Sequence, residues 1–208
     1  MATRQLRADA ARNRDRLLAT AAELFGERGL DVPMEEIARR AGVSIGTLYN
    51  HFPSREALYD AILPERLGAL ERLAAAALAE DDPWTGFAGF VEGLIALQAG
   101  DRGLNDAIAR QYLTTDEVRK VCGRGLERVN EIIARASRAG RLRADFEPAD
   151  LVMLVWGMSQ VIRESAEVAP AAWRRCLRFY LDGLRAEAAA PTDVPALTTA
   201  QLAAIARP

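Results

Sequence analysis

The stretch that decides the fold is residues 33–52, PMEEIARRAGVSIGTLYNHF. It is laid out as two short helices, over 33–40 and about 45–51, with Gly42 breaking the chain between them and Ser44 placed to cap the second. Helices this short are unstable alone. The pattern therefore predicts a helix-turn-helix that packs on further helices.

The apolar positions of this stretch predict which face of the second helix is buried. Ala38 is small where the two helices must cross, and Ile37, Val43 and Leu48 supply the apolar contacts between them. The residues left for the exposed side are Ser44, Ile45, Gly46, Thr47, Tyr49, Asn50 and His51.

The exposed side chains have the chemistry of a helix that enters a DNA groove. Gly46 allows close approach to a DNA strand, and Thr47 offers a methyl group suited to a thymine methyl. Asn50 can read a base edge or bind a phosphate. The predicted donors of hydrogen bonds to phosphates are Ser44, Tyr49 and His51.

Helical periodicity continues on both sides of this motif, and no strand-like alternation appears. A helix over 9–28 precedes it, with Gly29 as its stop. A long helix over 55–79 follows it and keeps its apolar phase across Pro64, which predicts a kink there. Later helices are predicted at about 84–99, 103–112, 116–138, 148–167 and 170–188.

The predicted fold class is all-α, with an N-terminal three-helix helix-turn-helix DNA-binding domain and a C-terminal helical domain. The predicted bounds are 1–53 and 54–190. The Ala-, Pro- and Thr-rich segment 191–208 is expected to be a poorly ordered tail with room for a small helix at 199–206.

Composition excludes several classes of protein and site. The 208 residues include one His and two Cys, too few for a poly-His metal site, a four-cysteine zinc site or a disulfide-stapled domain. No uncharged apolar run approaches the ~20 residues that span a bilayer, and the N-terminus shows no apolar signal segment. We therefore expect a cytoplasmic protein with no metal, no cofactor and no membrane partner. Cys122 and Cys176 fit small buried apolar positions better than redox sensors.

Charge is unevenly distributed although the net charge is only −2. Residues 1–55 carry nine Arg against seven acidic residues, so this part of the chain is the basic one. Arg4 and Arg7 precede the first helix and could follow a DNA backbone or enter a minor groove. A solvated tail is the other reading of these two residues.

The run from about residue 14 to 63 resembles the DNA-binding domain of the TetR family of bacterial transcriptional regulators. The matching pieces are LLATAAELFGERGL at 17–30 and MEEIARRAGVSIGTLYNHFPSREALYDAIL at 34–63, in one uninterrupted register. The resemblance implies a homodimeric repressor that binds a palindromic operator in double-stranded DNA and is released from it by a small-molecule effector. It also implies that the C-terminal helical domain is a ligand-binding and dimerisation domain.

Roles carried over from the resemblance fall on the same helix. Thr47, Tyr49 and His51 match positions that usually touch DNA, and Ser44 and Gly46 match the start of the recognition helix. Arg55 stands where the family often has a phosphate-binding Lys. Two departures concern phosphate contacts: Ile45 replaces a frequent Lys, and Val32-Pro33 replaces a Thr-rich helix start that usually supplies a capping hydroxyl.

The resemblance also implies that the last two long helices pair with their counterparts in a dimer. Ordinary core packing is the other reading of their apolar stripes. The residues predicted at the dimer interface are Leu151, Val155, Met158, Ile162, Trp173, Leu177, Tyr180, Leu181 and Leu184.

An effector site is predicted among the middle helices, where apolar side chains stand beside a few polar ones. Core packing is at least as good a reading of each residue taken alone, and the ligand class cannot be read from them. The residues are Trp84, Phe87, Phe90, Gln98, Gln111, Tyr112, Met153, Trp156 and Gln160, with Leu94 beside them.

Two other functions are alternatives to the regulator. A small-molecule-binding or protein-interaction module with a degenerate helix-turn-helix would explain Ile45 and the missing capping hydroxyl. An enzyme would need a paired carboxylate, a nucleophile–base pair or a phosphate-binding loop, and none of these has a recognisable spacing in the sequence.

Overall fold

The computed structural model describes residues 2–109, 116–190 and 192–205, apart from the side chains of residues 2–8, 65, 67 and 116–125. The helices are α1 (Ala2–Arg28), α2 (Met34–Arg40), α3 (Ile45–His51), α4 (Arg55–Ala79), α5 (Pro83–Gly100), α6 (Arg102–Ala109), α7 (Asp116–Arg138), α8 (Pro148–Ser165), α9 (Ala172–Leu184) and α10 (Thr199–Ile205), with a 3₁₀ turn at Ala186–Ala188. Within these ranges, β-structure amounts to one isolated bridge, between Leu142 and Arg185. The predicted all-α class is confirmed.

The helix ends of the N-terminal region follow from single residues. Gly29 adopts φ +82°, which few residues other than glycine tolerate, and its N–H donates to the Phe25 carbonyl at 2.9 Å. The hydroxyl of Ser54 caps α4 by accepting from the Ala57 N–H at 3.1 Å. Gly29 and Ser54 therefore act at the helix ends where the sequence predicts them.

Two predicted helix bounds were wrong by more than the usual one or two residues. Helix α1 begins at Ala2 rather than residue 9, since nothing in the first residues breaks a helix. The end predicted for α6 at residue 112 lies outside the described residues, within which this helix covers Arg102–Ala109. Helix α9 ends at Leu184 rather than residue 188, because Arg185 is extended and pairs with Leu142.

The buried side chains form two clusters. The N-terminal core is built from α1, α2, α3 and the first part of α4, and it also takes in Ala107 of α6. The C-terminal core is built from the later part of α4 with α5, α7, α8 and α9. Residues 58–63 of α4 pack in the N-terminal core, although the sequence-based division at 53/54 assigns them to the second domain; that division stays a prediction.

Helix α6 connects the two cores through close contacts to α1. The Leu30 N–H, just beyond α1, donates to Asp106 Oδ2 at 2.9 Å. Gly103 lies so close to α1 that a Cβ there would be 2.9 Å from the Phe25 carbonyl oxygen. On its other side, Asn105 Nδ2 donates to the Ser159 carbonyl of α8 at 3.0 Å. Helix α6 is therefore held by both parts of the molecule.

Arg66 of α4 forms an ion pair with Asp101, at the start of α6. Its Nε lies 2.5 Å from Asp101 Oδ2, and the two side chains are only 12% and 23% exposed. The same guanidinium lies over the Tyr59 ring, 5.6 Å from its centroid. Asp101 also caps α6 by accepting from the Leu104 N–H at 2.8 Å. A partly buried ion pair thus fixes the start of α6 against α4.

The segment after α9 is tied to the loop before α8. The Arg143 N–H donates to the Leu184 carbonyl at 3.0 Å, and the Arg143 side chain reaches the Ala190 carbonyl at 2.8 Å. Further along, Thr198 and Gln201 exchange side-chain and backbone bonds at the start of α10. The small helix predicted at 199–206 is present in the described residues as α10.

Candidate functional site

The turn between α2 and α3 is fixed by backbone bonds and a glycine. Gly42 adopts φ +68°, and the Val43 N–H donates to the Ala38 carbonyl at 3.0 Å. Ile37 of α2 and Leu48 of α3 are both fully buried in the N-terminal core. Because Leu48 anchors the inner face of α3, the opposite face of this helix points away from the protein.

The outer face of α3 carries the side chains singled out from the sequence. Tyr49 is 43% exposed although its neighbour Leu48 is fully buried. The other predicted contact residues are Ser44, Gly46 and Asn50, which are exposed, and Thr47 and His51, which are half-buried.

The first turn of α3 is ordered by Ser44. Its hydroxyl oxygen accepts from the Thr47 N–H at 3.1 Å and lies 2.9 Å from the Thr47 hydroxyl. This bond satisfies one of the free amide groups at the start of the helix. Ser44 and Thr47 are therefore held in one geometry at the end of α3 where a groove-binding helix makes its base contacts.

Two arginines that sequence analysis did not single out flank α3. The Arg14 guanidinium lies over the ring of Phe52, at the C-terminal end of α3, 5.5 Å from the ring centroid. Arg16 reaches the turn before α3, where a Cβ on Gly42 would lie 3.8 Å from its Nη1. Both arginines are exposed. Their role depends on how α1 crosses α3, which no local sequence signal reveals.

Arg4 and Arg7, the two arginines that the sequence analysis favoured, belong to helix α1. Their side chains lie outside the described part of the structure. The backbone shows that they extend a continuous helix rather than precede one, so the expectation of an arm ahead of the first helix was wrong.

Ion pairs cover one side of α2. Arg28 Nη1 lies 2.7 Å from Glu36 Oε1, and this hydrogen bond lowers the pKa of the Glu36 carboxyl below its ordinary value. Arg40 lies 3.4 Å from Glu23. Arg39 is 3.9 Å from Glu36 and its side chain is 74% exposed. Arg39 is therefore the most accessible of the three cations.

Arg55 is engaged inside the protein. Its Nη1 donates to the carbonyl of Val32 at 2.5 Å and also to the carbonyl of Leu30. These bonds hold the α1–α2 connection against the start of α4. The phosphate contact that the resemblance implied for Arg55 would compete with them.

The start of α2 lacks a capping hydroxyl, as the Val32-Pro33 sequence predicts. Pro33 is the N-cap residue, and its side chain makes no capping hydrogen bond. Glu35 and Glu36 lie in the first turn, where their charge favours the helix dipole but repels phosphate. The start of α2 therefore offers less to a DNA backbone than a Thr-rich start would.

The predicted effector residues are not gathered in one place. Trp84, Phe87 and Phe90 are buried in the C-terminal core, with the Phe87 ring 5.7 Å from that of Phe146. Met153 and Gln160 are exposed on α8, and Trp156 is half-buried. Gln98 is completely buried. Gln111 and Tyr112 lie outside the described residues.

Most of the predicted interface residues are buried in this chain's own core, and for these the core-packing reading holds. Leu151, Met158, Ile162, Trp173, Leu177 and Leu181 are each at most 8% exposed. Their side chains are covered by α5 and by each other, so they are not available to a second chain. Val155 and Leu184 are half-buried and Tyr180 is 50% exposed. The apolar surface of α8 and α9 consists instead of Met153, Phe179 and Tyr180.

A cleft of about 440 Å³ opens beside this surface. Met153 of α8 and Tyr180 of α9 line it together with Arg143 and Asp145 of the preceding loop. The Arg143 guanidinium lowers the pKa of the Asp145 carboxyl to about 2. One predicted effector residue, Met153, and two predicted interface residues, Tyr180 and Leu184, thus line one open cleft.

The described residues carry no metal-binding cluster, membrane-spanning helix or disulfide. Among them, no group of three or more His, Cys, Asp or Glu side chains is arranged to hold a metal ion. No helix in the described ranges is long and apolar enough to cross a membrane. Cys176 is half-buried and makes no disulfide, and the side chain of Cys122 is outside the described part.

Comparison with known proteins agrees with this geometry. Residues 17–62 match the family model of bacterial regulatory proteins of the tetR family, and residues 82–186 match the C-terminal domain of SbtR-like transcriptional regulators. The crystal structure of a TetR transcription regulatory protein from Mycobacterium vanbaalenii is 36% identical, with a TM-score of 0.50. That match covers 86% of this chain and 99% of that one.

Two curated relatives match over shorter lengths. The regulator UidR of Escherichia coli K12 is 29% identical over 69% of this chain and 74% of its own length. The regulator SAR0097 of Staphylococcus aureus is 36% identical over 39% of this chain, and the chain spans only 44% of that regulator. With both domain models in register and α3 presented outward, the chain belongs to the TetR family of bacterial DNA-binding transcriptional regulators.

Proposed function

We propose that the chain acts as a homodimer that binds a palindromic operator in double-stranded DNA, represses transcription there, and leaves the DNA when a small molecule binds. The observation that carries the proposal is the orientation of α3. Leu48 is fully buried while Tyr49 and Asn50 beside it are exposed. We place the protein in the cytoplasm, where its DNA is, and assign it no catalytic activity, metal or cofactor.

In this proposal α3 lies in the major groove. Thr47 and Asn50 read base edges, and Gly46 lets the helix backbone approach one strand. Contacts to phosphates position the helix without reading sequence. The donors proposed for phosphates are Ser44, Tyr49, His51, Arg14, Arg16 and Arg39, with Arg4 and Arg7 further along α1. We leave Arg55 out, because its guanidinium already holds the carbonyls of Leu30 and Val32.

A second copy of the chain is needed to read both halves of a palindrome. We propose that the two copies meet through the exposed side of α8 and α9, where Met153, Phe179 and Tyr180 are 45%, 62% and 50% exposed. Val155 and Leu184 border this surface. A two-fold dimer of this kind sets two recognition helices about 34 Å apart, in successive major grooves.

Release from DNA requires coupling between the two cores. An effector must bind the DNA-incompetent state more tightly than the competent one, or the equilibrium does not shift. Helix α4 runs from one core into the other and contains Pro64, so we propose that it moves on binding and changes the spacing of the two α3 helices. Helix α6 also connects the two cores, through the hydrogen bond of Asp106 to Leu30 after α1 and that of Asn105 to Ser159 of α8.

Selection of bound fragments from a random DNA pool at stated salt tests the proposal directly. We expect enrichment of a palindrome with half-sites about one helical turn apart. Enrichment without symmetry would contradict the dimer, and no enrichment would favour the alternative of a module with a degenerate helix-turn-helix.

The dimer surface is tested by a matched pair of substitutions. Phe179→Asp puts a charge in the proposed interface, and Val168→Asp puts one at a position that is 90% exposed outside it. We expect only Phe179→Asp to yield monomers by light scattering and to lose operator binding. Equal behaviour of the two variants would place the interface elsewhere.

A further inference from the structure

Few buried polar atoms in the described residues lack a partner. The atoms are Tyr59 Oη, both amide atoms of Gln98, and Asn105 Oδ1. Gln98 is in the last part of α5 and Asn105 is in α6, on either side of Asp101. Tyr59 packs in the N-terminal core, against the arginine that pairs with Asp101. Gln98 and Asn105 therefore flank the junction of α5 and α6.

Gln98 is the strongest of these cases. Its side chain is 0% exposed, and neither its amide nitrogen nor its amide oxygen has a hydrogen-bond partner. A buried amide without partners costs stability, and an apolar residue of the same shape would avoid that cost. A bound molecule that supplied the missing hydrogen bonds of the Gln98 amide would offset this cost.

Asn105 supplies a second unpartnered atom. One N–H of its Nδ2 donates to the Ser159 carbonyl at 3.0 Å. Its Oδ1 has no partner, and this oxygen can only accept. Gln98 can both donate and accept. A partner that satisfies the pair must therefore be able to donate at least one hydrogen bond and to accept one.

The charged groups at this junction are already paired. Arg66 and Asp101 form an ion pair at 2.5 Å, and Asp106 accepts from the Leu30 N–H at 2.9 Å. An ionised ligand group placed among buried amides would lack a counter-charge from them. A neutral group that donates and accepts fits better, and a hydroxyl does both. Ile95, three residues before Gln98 on α5, and Met158, next to Ser159 on α8, are both buried in the apolar C-terminal core.

We propose that Gln98 and Asn105 bind the hydroxyl group of an uncharged, otherwise apolar ligand, an alcohol or a phenol, at the α5–α6–α8 junction. This inference rests on the proposed function, because it specifies the class of the effector. It assigns Gln98 the main role, with Asn105 as an additional acceptor. Carboxylates of the same size are excluded by their charge.

The test uses the full-length protein with four probes, namely phenol, cyclohexanol, benzoate and cyclohexanecarboxylate. Binding is measured as the ligand-dependent rise in Tm and by titration. The variants are Gln98→Met, which removes the amide but keeps the length of the side chain, and Gln201→Met, a matched change at an exposed glutamine bonded to Thr198 in α10. Free-protein Tm values show that each variant is folded.

We expect phenol or cyclohexanol to bind the wild type and Gln201→Met alike and to bind Gln98→Met about tenfold more weakly, the loss of a net hydrogen bond. We also expect the free Gln98→Met protein to melt no lower than the wild type. The inference is overturned if neither alcohol binds at millimolar concentration, if the carboxylates bind as well, or if Gln98→Met binds as tightly as the wild type. An ordered water as the natural partner of Gln98 would give that last result.

Operator affinity without any probe is measured on the same proteins. If the wild type binds its selected DNA but no probe behaves as expected, only the ligand class is wrong. If the wild type binds no DNA sequence preferentially, the proposed function fails independently of the probes.

Discussion

Replacement of Gly29 by Ala tests the junction between α1 and α6. Gly29 has φ +82°, and a Cβ at this position would lie 2.3 Å from Asp106 Oδ2. Alanine therefore meets two obstacles, a left-handed backbone and a carboxylate in its way. The carboxylate cannot move without giving up its 2.9 Å bond from the Leu30 N–H.

The expected loss follows from these two contacts. A left-handed conformation costs a residue with a Cβ roughly 1–2 kcal/mol relative to its ordinary conformations. Loss of the Leu30–Asp106 hydrogen bond adds about 1–2 kcal/mol, because the acceptor is charged. Together the free energy of unfolding should fall by about 2–4 kcal/mol, which lowers the Tm of a chain of this length by roughly 5–12 °C.

The control is Gly89→Ala. Gly89 is exposed in the middle of α5, and a Cβ there meets nothing within 4 Å. Alanine at such a position should stabilise the helix by about 0.5–1 kcal/mol. Thermal and urea unfolding followed by circular dichroism compare the two variants with the wild type. A Gly29→Ala protein that melts no lower than Gly89→Ala would refute the reasoning.

A second variant separates the two costs. Asp106→Ala removes both the obstructing carboxylate and the hydrogen bond. In the double variant Gly29→Ala/Asp106→Ala, the Asp106 substitution should therefore lower the free energy of unfolding by less than it does in the wild type. The reason is that the two residues share one contact. Strict additivity would show that the backbone conformation of Gly29 accounts for the whole effect.

Three further predictions concern the DNA-facing helix and the loop before α8. Tyr49→Phe should weaken DNA binding by a similar factor, about two- to tenfold, on every sequence in a gel-shift series, because one phosphate hydrogen bond is lost; a loss confined to the operator would contradict this. Thr47→Leu should change the selected operator, at ~1–3 kcal/mol for each disturbed base pair, and an unchanged consensus would remove Thr47 from the groove. The Asp145 carboxyl should titrate near pH 2 by NMR, and Arg143→Met should return its midpoint toward the ordinary 3.8. Because the folded pKa is depressed, the stabilisation from this pair is present above about pH 4 and is lost as the pH falls toward 2; a midpoint unmoved by the Arg143 substitution would exclude the pair as the cause.

The helix-turn-helix could be predicted from the sequence because its determinants are local. Gly42, Ser44 and Leu48 fall within seven residues, and each acts through its own backbone or its nearest helix turn. The left-handed turn, the cap and the buried anchor all follow from residue type and spacing. The exposed side of α3 then follows from its period.

The residues of α8 and α9 at a dimer interface were harder to predict than the helix-turn-helix. An apolar stripe on a helix can be covered by the same chain or by a second copy, and the sequence does not distinguish the two. Met158, Leu177 and Leu181 lie on such stripes, and the structure buries them in this chain's own core. Exposed Phe179 and Tyr180, on the other side of α9, could be separated from them only once the packing of α5 and α9 was known.

The all-α class, the two-helix motif and the family could be inferred from the residues alone, since each rests on short-range pattern. Tertiary structure alone decided that Arg55 bonds carbonyls 25 and 23 positions earlier, that α9 ends where Arg185 meets Leu142, and that the Gln98 amide has no partner. These features depend on which distant segments of the chain come into contact. Residue spacing along the sequence does not predict such contacts.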